Sequence, residues 1–317
     1  MTLLVVGSVA YDTIATPSQR QEDEFGGSAT FFSLSSSYFS PVSVVAVVGE
    51  DFAEKDMKIL NDHGIDTSGI ETAVGKTFRW SGVYSSDNLG FRQTLDTQLN
   101  VFAEFSPKLN PTHKTIPHLF LANIEPNLQH NILQQMSERP NLVALDTMNF
   151  WIDGNKDALT NVIKNVDIVF MDEGEAKSFS MQTNLRKAAE SIITLGPKAV
   201  VIKKGENGVL VNTSTMTFTS PAFPVDNLVD PTGAGDSFAG GFIGYLAATT
   251  DFSDRGFRRA AVVGTVMGSF AVESFGTERI ASLSNKEINQ RFRALSTLTQ
   301  FEQIPEQESL PSTHKIN

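Results

Sequence analysis

Residues 230–241 read Asp230-Pro-Thr-Gly-Ala-Gly-Asp-Ser-Phe-Ala-Gly-Gly241, and both the fold class and the chemistry hang on this run. Gly233 and Gly235 bracket a small Ala234, Asp236 follows at once, and Phe238, Ala239, Phe242, Ile243, Tyr245 and Leu246 give the next stretch helical character. A glycine-rich turn feeding a helix lets several backbone N–H groups converge on one point. The helix dipole adds positive charge there, so the turn predicts an anion site. A carboxylate in the first turn would repel a bound phosphate unless it takes a proton from the group attacking that phosphate. An aspartate that merely complements the helix dipole explains a bare Gly-x-Gly-Asp as well, but the full run is more specific.

That run resembles the C-terminal signature of the PfkB (ribokinase-like) family of sugar and nucleoside kinases. The resemblance implies that the amides of Gly233, Ala234, Gly235 and Asp236 cradle the transferring phosphoryl group. It makes Asp236 the base that deprotonates the acceptor hydroxyl, with ATP and Mg²⁺ as cofactors. Thr232 then falls on the cofactor side, and Asp230 lies where some relatives bind a monovalent cation such as K⁺. The implied fold is α/β: a doubly wound, mostly parallel sheet flanked by helices, with a small β-sheet lid. The kinase domain is expected over residues 1–300, with the lid formed by about 11–24 and 77–105.

The rest of the chain suits that expectation. At 317 residues it can bury a large core. A net charge of −11 argues against a nucleic-acid or anionic-membrane surface, either of which needs a basic patch. The absence of cysteine excludes disulfides, zinc-thiolate sites and thiol nucleophiles. No segment has the apolar length of a membrane span, and the N-terminal run lacks a cationic flank, so the expected location is the cytoplasm. Near-continuous apolar runs at 3–6, 42–48, 119–122, 143–145, 168–170 and 200–203 read as strands covered on both faces. Helical patterns at 52–63, 127–138, 158–164 and 185–195 lie between them, and this alternation predicts βαβ units. Residues 301–317 carry Pro305, Pro311 and no periodicity, and read as a poorly ordered tail.

One stretch breaks the alternation. Phe78-Arg-Trp-Ser-Gly-Val-Tyr84 and Phe91-Arg-Gln-Thr-Leu95 flank a polar, glycine-ended turn, which is a hairpin pattern. The hairpin either extends the main sheet or, as the resemblance implies, belongs to the lid. Arg79 within it is a substrate-contact candidate. A lid sheet left exposed would also let two copies pair as a homodimer.

On the acceptor side, Asp12 follows the first strand and Gly26-Gly27 opens a helix. A carboxylate there can accept hydrogen bonds from vicinal hydroxyls, and paired glycines let a ligand approach the backbone. Alone these would be a solvated aspartate and an ordinary loop; the resemblance makes Asp12, Gly26 and Gly27 substrate contacts. Phe31 stands where the family usually has asparagine, which points to a more apolar acceptor or a reshaped pocket. Met171-Asp-Glu-Gly-Glu-Ala176 matches the family's Asn-x-x-Glu with Asp172 and Glu175. Hard oxygen ligands hold Mg²⁺ through its waters, although acids also favour a helix's first turn. Lys204 with Gly205 and Gly208 forms a turn comparable to the family's nucleotide pocket, or else a plain polar turn. Asn149, at a strand end, is a further cleft candidate.

Gly75-Lys76-Thr77 is no P-loop, since position 70 is Ile70 rather than glycine. The five histidines show no metal-ligand spacing. The reading is an ATP-dependent kinase for a hydroxyl of a sugar or related polyol. A nucleoside acceptor is the alternative, with Phe31, Phe32, Trp80 and Trp151 offering stacking surfaces. A non-catalytic ligand-binding relative is the other class.

Overall fold

The computed structural model describes residues 2–17, 19–85, 92–305, 308 and 310. In chain order its strands are β1 (Leu3–Val6), β2 (Ala10–Ala15), β3 (Arg20–Gly26), β4 (Val42–Gly49), β5 (Asp66–Ala73), β6 (Arg79–Tyr84) and β7 (Arg92–Gln98), then β8 (His118–Leu121), β9 (Leu142–Asp146), β10 (Ile168–Asp172), β11 (Ala199–Lys203), β12 (Val209–Thr213) and β13 (Thr217–Ser220). The six apolar runs became β1, β4, β8, β9, β10 and β11. β5 and β13, the polar strands at the two edges of the large sheet, were not legible as strands, because edge positions do not need apolar residues on both faces; β12, between β11 and β13, was also not read.

Nine strands form one sheet in the order β13-β12-β11-β10-β9-β8-β1-β4-β5. Pairing is parallel from β11 to β5, and β12 and β13 join antiparallel. Alternation along a strand sends successive side chains to opposite faces. Accordingly Leu3 and Val5 enter one hydrophobic cluster, and Leu4 and Val6 the other. Helices Ser28–Ser37, Ala234–Thr249 and Asp254–Ala271 supply the first cluster. Helices Pro126–Gln135, Lys156–Ile163, Glu173–Ser180 and Leu185–Ile193 supply the second. The sheet is therefore doubly wound, as the alternation predicted.

The remaining strands form a smaller sheet in the order β3-β2-β6-β7. It combines the N-terminal segment with the hairpin, because β2 pairs β6 in parallel, with Asp12 beside Trp80. Its root is polar. Arg79 donates to Asp51 Oδ2 at 2.8 Å and to Asp23 Oδ1 at 2.9 Å. Asp51 Oδ1 accepts from both the amide and the hydroxyl of Thr77 at 2.7 Å, and Tyr11 Oη donates to Asp56 at 2.7 Å. Residues 86–90 of the expected turn, and most of the expected tail, lie outside the described residues. Among the described residues no helix is long and apolar enough to cross a membrane.

Candidate active site

The carboxyl ends of the central strands meet the start of helix Ala234–Thr249. That helix begins at Gly233, which is left-handed with φ 74°, and no side chain caps it. Glycine is required twice over at this position. It adopts positive φ without strain, and a Cβ there would fall on the Phe31 ring. The Ala234 amide donates to Pro231 O at 3.2 Å. Gly235 and Asp236 lie in the first turn, where amides have no acceptor inside the helix. A Cβ on Gly235 would lie 3.2 Å from Lys203 Nζ, so an amine faces the same turn.

Phe31 and Phe32 lie beneath this turn rather than in an open pocket, at 1% and 0% exposure. Phe32 stacks on Phe120 with ring centroids 3.8 Å apart. Trp80 and Trp151 keep partial exposure. The Trp151 indole N–H donates to Asn123 Oδ1 at 3.0 Å.

An acidic cluster surrounds the amine. Lys203 Nζ pairs with the buried Asp146 at 2.6 Å. Burial works against its charge, but Asp146, Glu175 and Asp236 together hold its pKa up at about 12. Burial pushes Asp236 up to about 7, with Asp146 adding repulsion and Lys203 and Arg92 opposing it. Glu175 is pushed up to about 8 by burial and by the neighbouring Asp172. The Asp172 and Glu175 pair also forms a reciprocal helix cap: Asp172 Oδ1 accepts the Glu175 amide, and Glu175 Oε2 accepts the Asp172 amide, each at 2.7 Å. The cap and the cluster thus coexist at one residue, Glu175. Among the described residues no three or more His, Asp or Glu side chains converge to hold a metal directly. The donor set suits a metal held through its own waters, with Glu175 beside the Lys203–Asp146 pair.

Across the cleft stands Asp12, 5% exposed. Burial and then Asp230 raise its pKa to about 7, the Gly27 amide lowers it, and Asp236 is close enough to raise it further. A Cβ at Gly26 would land on Asp12 Oδ2, so the carboxylate lies flat against bare backbone. Gly27 has φ 97° and no room for a Cβ against Ser8 O. Asp230 is fully buried; its Oδ1 accepts the Thr232 amide at 2.9 Å, while Oδ2 has no hydrogen-bond partner of good geometry. Burial raises its pKa.

The structure thus brings together Asp12, Gly26, Gly27, Phe31, Glu175, Asp230, Thr232 and Gly233 to Asp236. Five candidates, Arg79, Asn149, Lys204, Gly205 and Gly208, fall elsewhere. The guanidinium of Arg79 is engaged at the root of the small sheet. Asn149 is exposed at the start of helix Asn149–Gly154. The lysine at the turn is Lys203 rather than Lys204, whose amide bonds Gly208 O at 2.8 Å in the Gly205–Asn207 turn. Gly208 itself has φ 82° and lies against Ser220 and Pro221.

Asp146, Lys203, Tyr84 and Arg92 were missed. A parity signal existed for Lys203, because Ala199 and Val201 belong to the cluster that contains Phe238 and Ala239 of the signature helix. Residue 203 shares their side of β11. Arg92 is exposed on β7, yet its charge is felt by Asp236, Asp12 and Glu175.

Residues 2–283 match the family model described as pfkB family carbohydrate kinase. The chain is 30% identical over 248 residues to a cytidine kinase of Thermococcus kodakarensis, covering 77% of this chain and 87% of that one. Among solved structures, the Methanocaldococcus jannaschii nucleoside kinase, an archaeal member of the ribokinase family, superposes with a TM-score of 0.73 at 19% identity, over 92% of this chain and 98% of that one. A fructokinase of Vibrio cholerae, bound to fructose, ADP and calcium, gives 0.72 at 17%, over 92% and 98%. These two likenesses concern the fold.

Proposed function

The chain belongs to the pfkB family of carbohydrate kinases, phosphotransferases with an alcohol group as acceptor, and from that premise we propose that it moves the γ-phosphoryl group of ATP to a sugar hydroxyl of a nucleoside. The observation that carries the mechanism is Asp236, held in the first turn of an uncapped helix and facing the amine of Lys203. A group titrating near neutrality can take a proton during the reaction and release it afterwards. Asp12 and the Gly26–Gly27 backbone grip the acceptor, and Asp236 takes the proton of its attacking hydroxyl. The Gly233 to Asp236 turn, Lys203 and Arg92 stabilise charge on the moving group. The small sheet covers the cleft and keeps water from attacking ATP. Bound Mg²⁺ would neutralise phosphate charge, with Glu175 as its water-mediated partner and Asp172 contributing less, because its Oδ1 caps the helix.

Similarity to a cytidine kinase across most of both chains supports the nucleoside class. The assay is acceptor-dependent ADP release with Mg-ATP, run on nucleosides, sugars and polyols. Cytidine or another nucleoside should lead the panel. Asp236→Asn should lower kcat by about 10²–10⁴-fold while ATP and acceptor still bind. Preference for a free sugar would overturn the acceptor class, and an Asp236→Asn enzyme of near-normal kcat would overturn the base.

A further inference from the structure

One hydroxyl joins the small sheet to the anion turn. Tyr84 ends β6 and is 5% exposed, and its Oη lies 3.0 Å from Thr232 Oγ1, 148 residues away in sequence. Its cross-strand neighbour is Arg92 on β7, whose positive charge opposes the rise that burial gives the Tyr84 pKa. Either hydroxyl can donate to the other, so the Tyr84–Thr232 bond forms whichever proton lies between them. Thr232 in turn is bonded to the buried carboxylate of Asp230 through its amide at 2.9 Å, and its hydroxyl also favours that carboxylate's charge. A bonded path therefore runs from Tyr84 through Thr232 to Asp230.

Arg92 is held against Trp80. Its guanidinium lies 5.5 Å from the Trp80 ring centroid, and the Trp80 indole N–H donates to Thr94 Oγ1 at 3.2 Å. The indole rests on Gly82, where a Cβ would fall on the ring. A buried tyrosine hydroxyl normally has a partner, and the one it has here is the residue that precedes Gly233.

We infer that Tyr84 is a positioning residue. It ties β6 of the small sheet to Thr232 so that the closed small sheet and the ordered anion turn form a single cooperative state. Phosphoryl transfer then becomes conditional on closure, and ATP is protected from water until the acceptor is enclosed. This rests on the kinase reading above.

The test is a double-mutant cycle with Tyr84→Phe and Thr232→Val, which remove one hydroxyl each and keep the packing. Each single variant should lose about tenfold in kcat, with ATP KM within about twofold and a raised ratio of acceptor-independent ATP hydrolysis to transfer. The double variant should be no worse than either single one. Thr232→Ser, which keeps the hydroxyl, should recover the activity, and it also shows that position 232 tolerates change. Multiplicative losses, or Tyr84→Phe with normal kcat and hydrolysis ratio, would overturn the inference. Hydrogen exchange of β6 and β7 in the unliganded enzyme separates this from the kinase reading. Tyr84→Phe should speed exchange there by about tenfold, the worth of one hydrogen bond. If wild type releases no ADP with any acceptor, the kinase reading fails, and the exchange result alone decides the latch: unchanged exchange overturns it.

Discussion

The large and the small sheet are made of opposite materials. β1 and β4 bury every residue, whereas β7 exposes every residue and β3 exposes four of seven. The large sheet is therefore held by apolar burial on both faces, each fully buried aliphatic side chain contributing about 1.5–3 kcal/mol. The small sheet is held at its root and tip by polar contacts through Arg79, Tyr11 and Tyr84. The groups of the candidate site divide along the same line. Asp146, Glu175, Lys203 and Asp236 stand at the edge of the rigid layer, while Asp12 and Arg92 are carried by the layer that has little core of its own. Chemistry needs fixed distances and access needs motion, and this division lets one chain supply both.

Changes on the rigid side should be the costliest. Lys203→Met would leave Asp146 buried beside Asp236 without its partner. Breaking a buried pair in this way costs about 3–5 kcal/mol, which urea unfolding would register directly. The same change should lower kcat by about 10²-fold or more, because a cation facing the anion turn is lost. If stability is unaffected, the amine is not the support of the cluster, and the contrast between the two layers weakens.

Gly26→Ala probes the seam between them. Its Cβ would displace the Asp12 carboxylate, so acceptor KM should rise about 10–100-fold, the worth of one or two charge-assisted hydrogen bonds. ATP KM should stay put. Equal rises in both constants would mean that the two sides of the cleft are not separable.

The rigid side was also the more legible in sequence. Continuous apolar runs located its strands, and the glycines of 230–241 located the turn, because each depends on local chemistry. Phe31 was read as a pocket departure, yet its ring fills the space that a side chain at 233 would need. Nothing local signals that complementarity across some 200 residues. Lys203 and Lys204 are indistinguishable by composition, and only strand parity separates them. Arg92 and Tyr84 follow from the register of a polar hairpin against a loop far along the chain, and no periodicity carries that information.

The titration of the cluster gives a smaller, signed effect. Asp12 and Asp236 at about 7 and Glu175 at about 8 all lie above their unfolded values. Their contribution to stability is full below the unfolded carboxylate range and is lost as pH rises through the folded values. The melting temperature of the unliganded enzyme should therefore fall by a few degrees between about pH 5.5 and 8.5. Activity should rise over the same window if Asp236 is the base proposed above, because it must be ionised to accept a proton. Asp51, Asp66 and Glu287, whose pKa values are lowered, act below that window. Asp236→Asn should flatten the slope of the melting curve. A slope left intact in that variant would place the titration elsewhere.

Arg79→Ala should have the smallest consequence. The guanidinium bridges Asp51 and Asp23 and lies 5.3 Å from the Tyr11 ring centroid, but Asp23 is largely exposed and Asp51 keeps both of its bonds to Thr77. Partly exposed ion pairs are worth about 0.2–1 kcal/mol each, so the melting temperature should move by no more than a few degrees. What should change is the small sheet's freedom. Acceptor-independent ATP hydrolysis should rise about two- to threefold relative to transfer, since a loosened root encloses the cleft less completely. A large loss of stability would mean that the polar root is as integral to the fold as the apolar sheet, and the division of labour between the two layers would then be one of position alone.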